Sequence, residues 1–138
     1  MSIVLDTHVW IWLVTGNRRL SGTKLLELLE RESRKDGLLV PAICAWEAAM
    51  LSEKGRLQLL EPAEKWIFRA LSARGLNMLA LTPDIACESV RLPGSFHGDP
   101  ADRLITASAR IVGAKIATFD RQILSYAEQG YVEIAGLS

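Results

Sequence analysis

The sequence is poor in the residues that usually announce a compartment or a chemistry. Its 138 residues include two cysteines and two histidines. Cys44 and Cys87 lie in separate apolar, helix-like segments without a C-x-x-C spacing, which argues against a cysteine zinc site or a dithiol redox motif. They are expected to be buried free thiols, and free thiols point to a reducing compartment such as the cytoplasm. An excess of either charge is also missing: 16 basic residues balance 16 acidic ones. The chain therefore has no general attraction for nucleic acid or a membrane surface, and a polyanion must be met by a local patch. The one long apolar run, Ile3 to Val14, carries Asp6 and His8, lacks a basic leader and falls short of the ~20 residues a spanning helix needs. A soluble, unprocessed chain is the expectation. No repeat, low-complexity tract, linker or Gly-rich phosphate-binding loop appears.

What is present is a hydrophobic fraction of 49%, ample for a core in a chain whose length suits one domain spanning residues 1–138. Short apolar runs alternate with helical patterns. Ser2–Leu5 reads as a strand, Thr7–Val14 as a short helix apolar all round, and Ser21–Arg31 as a helix with Leu25, Leu28, Leu29 and Glu32 at helical spacing. Leu38–Val40 is a strand; Pro41 opens a helix to Lys54, and Pro62–Ala73 forms another with Trp66, Ile67 and Leu71 on one face. Asn77–Leu81 is a strand, Thr82-Pro83-Asp84 caps a helix to Arg91, a helix runs from the Asp99 region to Val112, and Lys115–Phe119 is a strand followed by a helix over Arg121–Glu128. Tyr131–Ile134 is a further candidate strand. The pattern predicts an α/β fold: a central, mainly parallel sheet of four to five short strands with helices on both faces. Cover for the apolar first helix comes either from other helices of the domain or from a partner chain.

The carboxylates are the candidate chemistry. In Phe96–Ala109, Asp99 and Asp102 stand three residues apart where a polar turn becomes a helix. This is either a helix start, with Asp99 as N-cap, Pro100 at the first helical position and Asp102 completing a capping box, or a pair able to hold a metal. Asp6 and Asp120 each end a strand just before a helix, where N-caps sit, and also where open parallel sheets bind ligands. Glu47 resists the capping explanation. It shares a helix face with Ile43 and Met50, where an ionised carboxylate needs a partner: a basic side chain, Arg103 being the obvious one, or a metal ion. Brought together, Asp6, Glu47, Asp102 and Asp120 would repel one another, and a divalent cation removes that repulsion. Oxygen donors without a His or Cys cluster select a hard ion, Mg²⁺ or Mn²⁺, suited to phosphoryl transfer to water. Asp99 and Thr118 are close enough in sequence to tune such a site.

Four stretches taken in order resemble the PIN-domain nucleases, and specifically the VapC-type toxins of bacterial type II toxin-antitoxin pairs. They are Leu5-Asp6-Thr7-His8-Val9-Trp10-Ile11-Trp12-Leu13, Ala45-Trp46-Glu47, His97-Gly98-Asp99-Pro100-Ala101-Asp102-Arg103-Leu104-Ile105, and Ala117-Thr118-Phe119-Asp120. The resemblance covers the whole chain, and the ordered set is more specific than any one member. It implies a PIN-like fold and an Mg²⁺- or Mn²⁺-dependent ribonuclease with Asp6, Glu47, Asp102 and Asp120 as catalytic, metal-binding quartet and Asp99 as an additional acid. It also implies a cytoplasmic toxin, a homodimer or dimer of dimers, and a small cognate VapB-type antitoxin laid in a groove near the site. Ala101 departs from the pattern, standing where the subgroup usually has a larger aromatic residue, which would loosen packing there and spares every acid.

Arg103, Lys115 and Arg121 are the basic residues nearest the expected site, either contacting phosphates or serving only surface solvation or neutralisation of the quartet. His97, in its polar turn, is a candidate general base that a metal-activated water would not require, and His8 is expected to be a hydrogen-bonded structural residue. Two other functions use the same residues. A non-catalytic PIN-like module would bind RNA or protein without cutting, and has little reason to keep like charges together; a phosphohydrolase of small substrates would call for a phosphate-cradling loop that the sequence lacks.

Overall fold

A computed structural model describes residues 2–136. Four strands, β1 (Ile3–Leu5), β2 (Leu38–Pro41), β3 (Leu76–Leu79) and β4 (Lys115–Ala117), form one parallel sheet in the order β3-β2-β1-β4. Seven helices cover it: α1 (Thr7–Thr15), α2 (Lys24–Ser33), α3 (Ala42–Glu53), α4 (Ala63–Leu71), α5 (Pro83–Val90), α6 (Pro100–Val112) and α7 (Arg121–Glu128). Register is set by Ile3 opposite Leu38 on one side and Lys115 on the other, with Leu5 opposite Ala117. The chain builds outward from β1 through β2 to β3, then crosses back to lay β4 on the other side of β1. That reversal places a switch point between the carboxyl ends of β1 and β4, where a crevice opens in folds of this kind.

The apolar runs go where a doubly covered sheet requires. Ile3, Val4 and Leu5 have no exposed surface, and neither do Val9 and Trp10 of α1. The Trp10 indole lies 5.4 Å from that of Trp66 and donates to the Ala70 carbonyl at 3.3 Å, fastening α1 to α4. Helix α6 buries mainly small residues, Ala101, Thr106, Ala107, Ser108 and Ala109, and so packs closely against β1, α3 and α5. Ala101 itself is 5% exposed, so the smaller residue leaves no opening to solvent at that position. Gly75 is required before β3: it has φ +83°, and a Cβ there would stand 2.2 Å from the Ser33 carbonyl oxygen.

The structure trims several expected elements and corrects some placements. Strand β3 lies at the sheet edge with Asn77 and Met78 exposed, so not every strand is sealed from water. Strand β4 stops at Ala117 because Thr118 and Asp120 turn to make side-chain bonds. Tyr131–Ile134 reduces to a single bridge between Ile116 and Ile134. Cys44 is buried as expected, whereas Cys87 is exposed on α5, whose inward face is held by Ile85 and Ser89. Among the described residues no helix is long and apolar enough to cross a membrane.

Candidate active site

The switch point holds a cavity of about 350 Å³ lined by Asp6, His8, Trp12, Glu47, Asp99, Asp102, Phe119 and Asp120. All five acids singled out from the sequence thus face one space. Each arrives by a different local device. Asp6 ends β1 and caps α1, accepting from the Thr7 N–H at 2.6 Å and from the Thr118 hydroxyl at 2.5 Å. Asp120 caps α7, accepting from the N–H groups of Gln122 (2.8 Å) and Ile123 (3.1 Å), while its own N–H donates to Thr118 Oγ1 at 2.9 Å. Thr118 therefore links the ends of β1 and β4. Glu47 projects from the second turn of α3, where the Thr7 hydroxyl donates to it at 2.5 Å. Asp99 caps α6 by accepting from the Asp102 N–H at 2.9 Å, with Pro100 at the first helical position.

Capping and site geometry divide the opening of α6 between them. The reciprocal half of a capping box, from the Asp99 N–H to the Asp102 carboxylate, is not among the hydrogen bonds of the described residues, so Asp102 is directed into the cavity instead. Gly98 makes this turn possible: a Cβ there would lie 2.3 Å from the Phe96 ring and 2.8 Å from Asp102 Cβ. The loop before α6 is tied down from three sides. Tyr126 donates to the Pro93 carbonyl at 2.5 Å, Gln129 bonds the Ser95 backbone in both directions, and Arg103 donates to the carbonyls of Ser89 (2.8 Å) and Phe96 (3.1 Å).

Arg103 is thereby corrected as the partner of Glu47. Its guanidinium donates to two carbonyls, lies over the Phe96 ring at 5.6 Å and makes no ion pair with Glu47 among the described residues. Lys115 is likewise displaced from the site, since it begins β4 at the opposite end of the sheet and lies 4.0 Å from Glu133. Arg121 sits exposed at the start of α7, beside Asp120. Neither it nor His97 is among the residues lining the cavity.

The electrostatics follow from this crowding. Among the described residues no ion pair joins a basic side chain to any of the five acids. Burial raises the carboxyl of Asp6 above the usual range, opposed by its bonds to Thr118 and Thr7. Burial also raises Glu47, with the Thr7 hydroxyl opposing and the negative charges of Asp6 and Asp99 adding to the rise. Asp102 is pushed up to about 7, by burial first and then by Asp120, Asp99, Asp6 and Glu47. Such a cavity attracts protons or a cation. Its donors are hard oxygens, the set that suits Mg²⁺ or Mn²⁺. Among the described residues no three Asp, Glu, His or Cys groups are drawn tightly enough to grip an ion together. Donors of this kind fit an ion that keeps part of its water shell, as Mg²⁺ does.

Three lining residues were not read from the sequence as belonging to a site. His8 is exposed and faces the cavity, rather than serving as an interior structural residue; its ring lies 6.0 Å from that of Trp12. Phe119, 49% exposed, packs on Trp12 at 5.6 Å. The signal for His8 and Trp12 was their i, i+4 spacing, which puts them on one face of α1. Thr7, which holds Glu47, stands within the first of the four stretches, but nothing in it names its partner. A roomier and more apolar cleft of about 530 Å³, bounded by Leu13, Leu29, Arg69 and Leu76, contains Glu30 as its only acid and offers no comparable chemistry.

A family model described as PIN domain matches residues 3–129. The chain belongs to the PIN-domain family. Within it, this PIN-domain chain is 37% identical over 125 residues to Ribonuclease VapC22 of Mycobacterium tuberculosis, covering 91% of this chain and 92% of that protein. The fold is shared with VapBC2 from Rickettsia felis bound to a DNA fragment from its promoter, at a TM-score of 0.70, 14% identity and 97% coverage of both chains. It is shared too with a toxin-antitoxin complex from Klebsiella pneumoniae, at a TM-score of 0.58, 21% identity, and coverage of 88% of this chain and 90% of that one.

Proposed function

We propose that this PIN-domain chain is an Mg²⁺- or Mn²⁺-dependent endoribonuclease, the toxin of a type II toxin-antitoxin pair. The observation that carries the reading is the cavity of five carboxylates, none of them in an ion pair among the described residues, in which Asp102 is pushed up to about 7. The VapC22 relative, named a ribonuclease, supports RNA as the substrate class. In this reading residues 1–138 form one PIN domain, and Asp6, Glu47, Asp102 and Asp120 are the catalytic and metal-binding quartet, with Asp99 as a further acid at the site.

A bound divalent ion would supply Lewis acidity, activating a water and neutralising charge that develops on the phosphate. The chain's own part is to hold the oxygens that receive it. Thr118 and the Thr7 N–H hold Asp6 in one orientation, the Thr7 hydroxyl orients Glu47, and the backbone of α7 fixes Asp120. Asp102, half-buried and with no donor to its carboxylate among the hydrogen bonds of the described residues, is pushed up by burial and then by the four other acids, and would be relieved by a cation. The toxin-antitoxin assemblies among the structural neighbours support a VapB-type antitoxin as partner; a cytoplasmic setting and a homodimer or dimer of dimers belong to the same proposal.

The test is RNA cleavage by the purified chain with Mg²⁺ and with EDTA, beside Asp6→Asn and Glu47→Gln. Each substitution is expected to slow cleavage by about 10²- to 10³-fold, the scale of losing one charge-stabilising group. Cleavage that persists in EDTA, or that both variants retain in full, contradicts the assignment. Binding of RNA without any cleavage would favour a non-catalytic module.

A further inference from the structure

Beside the acid cavity lies a second groove of about 560 Å³ whose character is opposite. It shares His8 and Trp12 with the acid cavity; its floor is apolar, from Ile11, Leu51 and Leu57, and its rim carries Arg19 and Arg56. Both arginines are exposed, and among the described residues neither enters an ion pair. The Arg19 guanidinium lies 5.1 Å from the Trp12 ring centroid, and Phe119 packs on that same ring at 5.6 Å. The acid cavity, with Phe119 on its edge, and the groove carrying the two arginines thus adjoin through His8 and Trp12.

We infer that Phe119, backed by Trp12, offers a base-stacking surface and that Arg19 and Arg56 receive backbone phosphates, so that this groove holds the single-stranded RNA flanking the bond to be cut. The inference rests on the ribonuclease reading above and extends it to the residues that choose and align the strand. Stacking on an aromatic face suits any base, and cations placed beyond the acids draw the phosphates along a path the acids alone would repel. Two exposed arginines that enter no ion pair among the described residues suit a polyanion, and a strand passing Phe119 would bring its phosphates to them. Phe119 has ample reason to be exposed here: half of its surface is open although it follows a strand of the core.

The experiment measures binding of a short fluorescein-labelled single-stranded RNA of mixed sequence by anisotropy, in the Asp102→Asn background so that the probe is not cut. Phe119→Ala is expected to weaken binding by about 5- to 150-fold, the range of one lost stacking contact, and Phe119→Trp to restore it. Joint Arg19→Ala and Arg56→Ala is expected to flatten the dependence of log Kd on log salt by about 1.4, as two lost phosphate contacts on a single strand should, while Phe119→Ala leaves that slope alone. Circular dichroism of each variant separates these effects from unfolding. RNA affinity and salt slope unchanged in folded groove variants would overturn the inference, and overturn it in favour of a protein occupant if the same variants lose their antitoxin. The ribonuclease reading would still stand in that case, provided cleavage in the otherwise unaltered chain depends on Mg²⁺ and Asp6. Absence of both cleavage and RNA binding in the unaltered chain would remove both.

Discussion

Asp102 bears part of the electrostatic cost of the site, first because it is half-buried and then because four other carboxylates surround it. A carboxyl raised to about 7 from an ordinary 3.8 keeps its proton in the folded chain over a range where the unfolded chain has released it. The folded state then binds more protons than the unfolded one between about pH 4 and 7, so this contribution is complete below that window and is lost as pH rises through it. Unfolding in EDTA is expected to show a chain more stable at pH 5 than at pH 8. Asp102→Asn should remove roughly 2 kcal/mol of that difference, a figure reduced for the solvent screening of a half-exposed group. An unaltered pH dependence in the variant would show that Asp102 is not held under this strain. Asp6 and Glu47 are raised in the same direction, so a residual slope of the same sign should survive the substitution.

At the scale of the elements, helix starts were the most legible feature of the sequence. Asp99-Pro100 and Thr82-Pro83 name their own caps, because a capping oxygen and a proline without an N–H act within one turn of chain. The acids before α1, α6 and α7 were legible for the same reason. Partnerships across the fold were not. Nothing near Glu47 in the sequence identifies Thr7, forty residues away, as its donor, and Arg103 looked free to serve it. Phe119 resembled a buried strand residue because the turn that ends β4 is made by Thr118 reaching across to Asp6. Arg103 in fact joins α5, the following loop and α6. Arg103→Ala is expected to cost about 2 to 4 kcal/mol, the loss of charged hydrogen bonds to two carbonyls, read as a lower urea midpoint. Arg103→Lys should recover little of it, since an ammonium has no planar fork to span both carbonyls. Full stability in Arg103→Ala would mean the loop is held by Tyr126 and Gln129 alone.

For the whole molecule, sheet order does what no single motif could. Placing β1 between β2 and β4 brings Asp6 and Asp120 to adjacent strand ends, while α3 and α6 deliver Glu47 and Asp102 over the same crevice. The alternation of strands and helices made a parallel sheet legible, yet the order β3-β2-β1-β4 depends on which strand the last crossover joins, and short strands of similar composition do not encode that choice locally. The balanced charge of the chain acquires meaning at this scale too: the acids gather at the switch point and two unpaired arginines line the groove beside them. In the proposed function this crevice holds a divalent cation. Mn²⁺ binding followed by electron paramagnetic resonance, in the unaltered chain and in Asp102→Asn, tests it. The expected result is saturable binding that Mg²⁺ displaces and that the substitution weakens at least about tenfold, as losing one ligand does; equal Mn²⁺ binding by the two proteins, or none in either at millimolar metal, would contradict it.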